Sequence, residues 1–534
     1  MTPFRVLVAD KIAREGLAPL ASDPRFELVE RTGLKGEDLA AAIADADAVL
    51  VRSATKITRE SLARATRLRV IGRAGVGVDT IDVEAATEKG VAVMNAPAGN
   101  TISAAELACA LLLALVRKVP AADQSMKAGA WNRTSFGGTE LYRKTLGLVG
   151  AGRVGGEVAR RARAFGMRVL AYDPFLSPDA AKEIGAELGD LETVLRQSDV
   201  ISLHVPLTDK TRGMLGPAQL ALLKPGAMIV NAARGGVLDE AAMIAGLQSG
   251  AIGGAALDVF DQEPLPADHP LRQLPNVVLT PHLGASTEEA QLNVAVEIAE
   301  SVRAALVDGD YSRAVNAALV GGERLKRLRP LLDLAERLGR LGAALARGPI
   351  TAVEVRFGGE GDDLLRPLAA GALIGILAEA VGPGAVNVVN ALHLAKARGI
   401  KVDRTRLDGP QDYADLVELR VSHGGVTTHV AGALLGSAHP RVVGIDAFRL
   451  NVIPSGQLLI LRNHDVPGVI GRVGTLLGNA GINIAEYHQA RLSAGGEALA
   501  VVSVDAPLPE GLVGSLGALK EVRQVAQVGF VHGG

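Results

Sequence analysis

Short apolar runs of strand length alternate with helical segments through the first 70 residues: FRVLVAD, FELVE and AVLVRS, followed by RVIGRAGVGVD. Strands and helices that alternate in this way predict a small parallel α/β unit. TISAAELACALLLALVRK at 101–118 predicts a long helix connecting that unit to the next. A second series then begins with TLGLVG at 145–150 and continues through MRVLAYD, DVISLHVP, AMIVNAA and NVVLTPH. Together these predict a doubly wound sheet spanning 99–285. Residues 287–307 predict another helix that packs back on the first unit, so the domain at 1–98 is expected to be discontinuous and to return as 286–319.

The pattern changes after NAALVGG. A charged helix, the strand AVEVRFGG, the polar turn EGDD, a mainly apolar helical stretch at 366–400 and the strands VELRVSHGG and THVAGALLG predict an intervening α/β domain at 320–452. The tail, QLLILRN, PGVIGRVGTLLGNAG, INIAEYHQARL, EALAVVSVD, LVGSLGALK and VRQVAQVGF, reads as βαββαβ. That order suits one sheet covered by two helices, a compact domain at 453–534. The expected fold class is α/β throughout.

Composition adjusts this picture rather than redirecting it. The chain has 534 residues, too many for one ordinary core. With 48% hydrophobic residues and 63 glycines it reads as a many-turned globular protein, and with 3% aromatics its cores must be aliphatic. The balance of 56 Lys plus Arg against 58 Asp plus Glu leaves a formal charge of −2, which gives no general electrostatic reason to bind nucleic acid. A single cysteine, Cys109, excludes an intrachain disulfide and any cysteine-cluster metal site. His393, His423, His429 and His439 lack metal-ligand spacing, and no metal is expected. MTPFRVLVAD runs straight into an alternating element, and the apolar segments are interrupted, so neither a leader nor a membrane span is expected and cytoplasmic residence is the simplest reading.

The chemistry sits in the second series. Gly150, Gly152 and Gly155 form GxGxxG between a strand and a helix, where Arg153 and Val154 open the helix. Such a loop permits close approach of a pyrophosphate to a helix N-terminus, although a lone match also occurs as a tight connection. Asp173 ends the following apolar run, in position to accept hydrogen bonds from an adenosine ribose and to disfavour a 2′-phosphate, which favours NAD. His204, Thr208, Ala232 and Ala233 lie beyond successive strands, where cofactor contacts are expected, and His204 reads equally well as a satisfied structural residue. Asp258 is a candidate to orient a nicotinamide carboxamide or a structural strand-end acid. In NAARGGVLDE, ALDVFDQEP and TPHLGAS, Arg234, Glu263 and His282 follow in order. An arginine can fork onto a carboxylate, a histidine can take an alcohol proton, and a glutamate can orient that histidine. Oxidation of a hydroxy acid is the reaction these groups suit.

GRAGVGVD at 72–79, GLVGAGRVG at 147–155, NAARGG at 231–236, LDVFDQEP at 257–264 and PHLGAST at 281–287 resemble the D-3-phosphoglycerate dehydrogenases, a branch of the D-isomer-specific 2-hydroxyacid dehydrogenases. The resemblance covers about the first 315 residues. It implies that Arg234, Glu263 and His282 are catalytic, that Asp173 meets the ribose and that Gly284 belongs to the cofactor site. It further implies substrate contacts from Arg52, Ser53, Arg73 and Gly75, and from Arg133 reaching across a dimer interface. The implied reaction is 3-phospho-D-glycerate plus NAD to 3-phosphooxypyruvate plus NADH, the first step of phosphorylated serine synthesis.

Residues 457–534, above all NHDVPGVIGRVGTLLGNAGINIAEYHQAR, resemble an ACT regulatory domain, and 320–452 resembles the intervening domain of long-form relatives. The resemblance implies L-serine contacts from Asp465 and Asn483, with Asn463 departing from the tyrosine sometimes found there, and a homodimer or homotetramer. Two alternatives stay open on the sequence: a dehydrogenase for another 2-hydroxy acid such as 2-hydroxyglutarate, and an NAD-responsive regulatory protein without turnover.

Overall fold

The computed structural model describes residues 2–317, 321–382, 385–409, 411–436 and 438–530. The boundary expected at 319/320 lies outside the described residues. Four sheets follow one another along the chain. The first is parallel, with order β2-β1-β3-β4-β5 (β1 Phe4–Val8, β2 Phe26–Glu30, β3 Ala48–Val51, β4 Val70–Arg73, β5 Ala92–Asn95). The helix Glu288–Arg303 returns to cover one face, burying Val294, Ile298 and Val302 against Val6, Leu50, Val70 and Met94. Burial on both faces explains why these strands read as nearly continuous apolar runs.

The second sheet has seven parallel strands in the order β12-β11-β10-β9-β6-β7-β8 (β6 Thr145–Val149, β7 Arg168–Tyr172, β8 Glu187–Leu188, β9 Val200–Leu203, β10 Ala227–Asn231, β11 Ile252–Leu257, β12 Val277–Leu279). Strand order reverses at β6, which pairs with β7 on one side and β9 on the other. In a doubly wound sheet this opens a crevice beyond the carboxyl ends of the strands. The helix Thr101–Val116 spans most of the expected connecting segment and buries Leu111, Leu112 and Leu115 against this sheet.

The third sheet is mixed, β14-β13-β15-β16-β17-β18 (β13 Ile350–Gly358, β14 Lys401–Arg406, β15 Leu416–His423, β16 Val426–Leu435, β17 His439–Ile445, β18 Phe448–Val452), under the helices Gly322–Leu345 and Leu365–Val381. Among the described residues one stretch, Asp362–Val381, is long and apolar enough to cross a membrane, and 61% of its apolar window is buried inside the protein. Packing against both the sheet and the neighbouring helix accounts for an apolar surface all round. His423 is a satisfied structural residue: Nδ1 accepts the Arg347 N–H at 2.9 Å and Nε2 meets Thr428 Oγ1 at 2.8 Å.

The fourth sheet is antiparallel, β20-β21-β19-β22 (β19 Gly456–His464, β20 Ile484–Arg491, β21 Glu497–Val504, β22 Val522–Phe530), with helices Val469–Asn479 and Glu510–Gly517 in βαββαβ order. Successive side chains of a strand face opposite ways. Leu459 and Leu461 therefore bury against the domain's own helices, while Leu458 and Ile460 enter the core of the third sheet. The two C-terminal sheets share one continuous core.

Candidate functional site

β10, β11 and β12 are neighbours in the second sheet, so the loops at their carboxyl ends converge. Beyond β10, buried Asn231 shapes the turn: its Oδ1 accepts the Ala233 N–H at 3.1 Å and its Nδ2 donates to Arg234 O at 3.0 Å. Arg234 Nη1 then donates to Ala233 O at 2.6 Å, and Nε lies 3.3 Å from Asp79 Oδ2 on the loop after β4.

Beyond β11, Asp258 is fully buried, and its carboxylate accepts Thr280 Oγ1–H at 2.6 Å, Leu283 N–H at 2.7 Å and Gly284 N–H at 2.9 Å. These bonds bind the loop after β12, where His282 sits at φ +55°, a left-handed conformation uncommon outside glycine. Its Nδ1 lies 2.7 Å from Glu263 Oε2, and Glu263 Oε1 accepts the Phe260 N–H at 3.1 Å. Burial works against ionisation of Glu263, but the hydrogen bond and charge of His282, the Phe260 N–H and Arg234 outweigh it, and the carboxyl lies below its usual range. With Nδ1 donating to Glu263, His282 keeps Nε2 as an acceptor.

Two cavities meet at these residues. One, of about 380 Å³, is lined by Arg153, Val154, His204, Ala232, Ala233 and Gly284; the other, of about 760 Å³, is lined by Ser53, Lys56, Asp79 and Glu263; Arg73, Arg234 and His282 line both. The smaller cavity adjoins the glycine loop. Gly150 adopts φ +91° against the His204 backbone, and a side chain on Gly155 would strike the Gly150 carbonyl, so the helix Arg153–Ala164 begins hard against the loop. Gly152 faces open space. An open glycine beside a helix N-terminus fits a pyrophosphate. Asp173 accepts the N–H groups of Ala151 and Phe175, each at 2.9 Å, and so stands at the edge of this loop.

His204 contacts Ser202 Oγ through Nε2 at 2.9 Å, and burial pushes its imidazole down to about 4, so it is neutral near pH 7. Thr208 is exposed, hydrogen-bonds to Thr211 and lines neither cavity.

On the first domain, buried Asp10 accepts the Arg52 N–H at 2.6 Å and Thr55 Oγ1–H at 2.6 Å, fixing the loop that carries Arg52 and Ser53. Burial, then Arg234 and Arg52, bring Arg73 down to about 10 against the opposing charges of Asp79 and Asp10. Its buried Nε has no hydrogen-bond partner among the described residues. Gly75 sits at φ +145°, and a side chain there would collide with the Arg73 guanidinium. Arg133 is exposed near Trp131, which is 78% exposed, and lines neither cavity.

A single chain does not bring Asp465 and Asn483 together. Asp465 follows β19 and pairs with Arg491 at 3.1 Å, whereas Asn483 precedes β20 and donates to Asp505 at 3.0 Å. The register sets Arg491 beside Ala498 and Ile484 beside Val504, so the two lie at opposite ends of an eight-residue strand, about 25 Å apart. Asn463 is buried and donates to His464 O at 2.8 Å.

Sequence reasoning passed over Asp79, Gly77, Asn231, Asp10 and Thr280. Asp79 and Gly77 lie inside GRAGVGVD, and Asn231 opens NAARGG, so the motifs contained them; Asn231 bonds within its own turn, whereas the contacts of Asp79, Asp10 and Thr280 come from other strands or across the cleft.

Comparison with known proteins agrees with this geometry. Residues 109–284 match the D-isomer specific 2-hydroxyacid dehydrogenase, NAD binding domain; 327–446 match the D-3-phosphoglycerate dehydrogenase intervening domain; and 457–521 match the ACT domain. The D-3-phosphoglycerate dehydrogenase of Synechocystis sp. is 42% identical over 530 residues, covering 99% of this chain and 95% of the relative. That of Bacillus subtilis is 40% identical over 522 residues, covering 98% and 99%. Among solved structures, a glyoxylate reductase from Paecilomyes thermophila aligns with TM-score 0.54 and 31% identity over 59% of this chain and 99% of its own. The NAD+-bound 3-phosphoglycerate dehydrogenase of Entamoeba histolytica aligns with TM-score 0.51 and 29% identity over 60% and 100%. With an NAD-binding domain, an intervening domain and an ACT domain in this order, the chain belongs to the D-3-phosphoglycerate dehydrogenases of the D-isomer-specific 2-hydroxyacid dehydrogenase family.

Proposed function

We propose that this chain oxidises 3-phospho-D-glycerate to 3-phosphooxypyruvate with NAD, the first step of phosphorylated serine synthesis. The observation that carries the reading is the position of His282: braced through Nδ1 by Glu263, it lines both cavities together with Arg234 and Arg73. Arg234 holds the substrate carboxylate and polarises the oxygen that becomes the ketone. His282 Nε2 accepts the hydroxyl proton, and Glu263 stabilises the resulting imidazolium. Bound NAD supplies the acceptor for the hydride that leaves C2. Gly150, Gly152, Gly155, Arg153 and Val154 receive its pyrophosphate, Asp173 its ribose, and Ala232, Ala233, His204 and Gly284 line the nicotinamide side; Thr208 and Asp258 have supporting roles. Ser53, Gly75 and the charges of Arg52 and Arg73 serve the phosphate end.

In this reading residues 1–98 with 286–319 hold substrate, 99–285 hold NAD, and 320–452 and 453–534 regulate. Arg133 would act on the site of a second chain in a homodimer or homotetramer; exposed Trp131 in the same segment offers apolar surface. Asp465 and Asn483 could grip one L-serine only from two chains, because one chain separates them. A cytoplasmic site of action follows, supported by a lone thiol instead of a disulfide framework. The glyoxylate reductase likeness favours one second reading, a non-phosphorylated 2-hydroxy acid.

The test is NADH formation by the purified chain with 3-phosphoglycerate, 2-hydroxyglutarate, glycerate and lactate, each with and without L-serine. Preference for the phosphorylated acid is expected; preference for another acid moves the reading to that substrate, and no turnover with any acid leaves an NAD-responsive regulator. His282→Ala is expected to keep NADH binding and lose turnover, and full turnover in that variant would sink the proton role.

A further inference from the structure

We propose that Asp79 is a positioning residue for Arg234, reaching across the cleft to set the guanidinium that receives the substrate carboxylate. This rests on the dehydrogenase reading above. The two residues come from different sheets, Asp79 from the loop after β4 and Arg234 from the loop after β10. The contact places Asp79 Oδ2 3.3 Å from Arg234 Nε, while Nη1 is tied to Ala233 O on the far side. Nη2 lies against Gly77, in space that any side chain there would fill; a Cβ at Gly77 would also come within 2.5 Å of Asp79 Oδ2. The guanidinium is therefore held at Nε and Nη1 and leaves Nη2 for an incoming anion. Asp79 and the substrate use different donors, so Asp79 does not compete for the carboxylate.

The surrounding charge explains why such a group is needed. Arg234 and Arg52 both bring positive charge to bear on Arg73 at this end of the cleft. Of the acids facing them, Asp10 already accepts from Arg52 N–H, Thr55 N–H and Thr55 Oγ1–H. Glu263, which also feels the charge of Arg234, is engaged by His282 and the Phe260 N–H. Asp79 is the acid in direct contact with Arg234, and its side chain is 59% exposed, against 26% for Arg234. Without it, repulsion from Arg73 favours rotamers that carry Arg234 away from Gly77. Because the pair bridges two domains, it also ties the pose of Arg234 to the relative position of the two cleft walls.

A double-mutant cycle in the full-length chain tests this. The variants are Asp79→Ala, Asp79→Asn, Asp79→Glu and Arg234→Lys, with Asp79→Ala combined with Arg234→Lys. The readouts are kcat/KM for 3-phosphoglycerate, KM for NAD, thermal midpoint, and calorimetric binding of oxalate to the NADH-loaded protein as a carboxylate probe. Asp79→Ala and Asp79→Asn should lower kcat/KM and oxalate affinity roughly tenfold at unchanged thermal midpoint and KM for NAD. Asp79→Glu should recover part of the loss, and on the Arg234→Lys background Asp79→Ala should cost no more than about twofold. An unchanged Asp79→Ala, the same loss on the Arg234→Lys background, or tighter oxalate binding by Asp79→Asn overturns the proposal. If the parent chain fails to oxidise 3-phosphoglycerate, the functional reading fails, and the oxalate cycle still decides the role of Asp79.

Discussion

Replacing Asp258 by Asn tests whether the loop carrying His282 is held by one buried carboxylate. Its three donors are Thr280 Oγ1–H, Leu283 N–H and Gly284 N–H, at 2.6, 2.7 and 2.9 Å. The first two share Oδ1 and the third uses Oδ2. An asparagine that keeps its oxygen toward Thr280 and Leu283 must turn an N–H₂ toward the Gly284 N–H, setting donor against donor. A hydrogen bond to a charged group contributes about 1.5–3 kcal/mol, and a buried donor left unpaired costs about 1–3 kcal/mol. Allowing for relaxation, the change amounts to about 2–4 kcal/mol.

Where that energy appears depends on the loop. His282 and Leu283 are exposed, so the segment can rearrange without opening a core, and a local change is favoured over a global one. The loss should then fall on the pose of His282 against Glu263 and the substrate. Converted at about 1.4 kcal/mol per decade, kcat/KM for the hydroxy acid drops roughly 30- to 700-fold. Initial-rate kinetics, a fluorescence titration with NADH and a thermal melt separate the possibilities. A variant within about twofold of the parent in kcat/KM refutes the reasoning. A lowered melting temperature with kcat/KM preserved would mean that Asp258 supports the fold alone.

Two further outcomes follow from the same geometry. Gly155→Ala sets a methyl group against the Gly150 carbonyl, and overpacking of about 1–3 kcal/mol should weaken NADH binding roughly 5- to 150-fold by fluorescence titration; an unchanged Kd would contradict the close approach of helix and loop. The folded pKa of Glu263 is depressed, so the ionised carboxylate contributes stability above its unfolded value, and that contribution is lost as pH falls through the folded value. Urea melts should show Glu263→Gln less stable than the parent near neutral pH, with the gap closing in acid as the carboxylate is protonated. Because the side chain is 36% exposed the gap will be small, and a gap that persists in acid would assign it to lost packing.

The parts of this protein that can be read along the chain are those in which sequence order and spatial order coincide. Arg234, Glu263 and His282 follow β10, β11 and the end of β12, which are also neighbours in the sheet, so a linear motif series maps onto one rim. β5, β8, β11, β14, β17 and β18 were not among the expected strands. In β11, IGGAAL, the glycines interrupt the apolar run, and in β14, KVDRTR, charged side chains suit an edge strand whose residues are mostly exposed. The double-sided burial of LLIL in β19 was equally hidden, because period-two alternation disappears when a second domain covers the outer face. Asp465 and Asn483 are close in sequence, yet a helix and a loop carry the chain back along the sheet and leave them at opposite ends. Asp79 and Arg234 show the converse: 155 positions apart, on different sheets, they meet only because the cleft walls face each other. Arg234, Glu263 and His282 thus lie on one sheet rim, whereas the charge beside Arg234 comes from the opposite wall, so the pose of that guanidinium depends on both walls of the cleft.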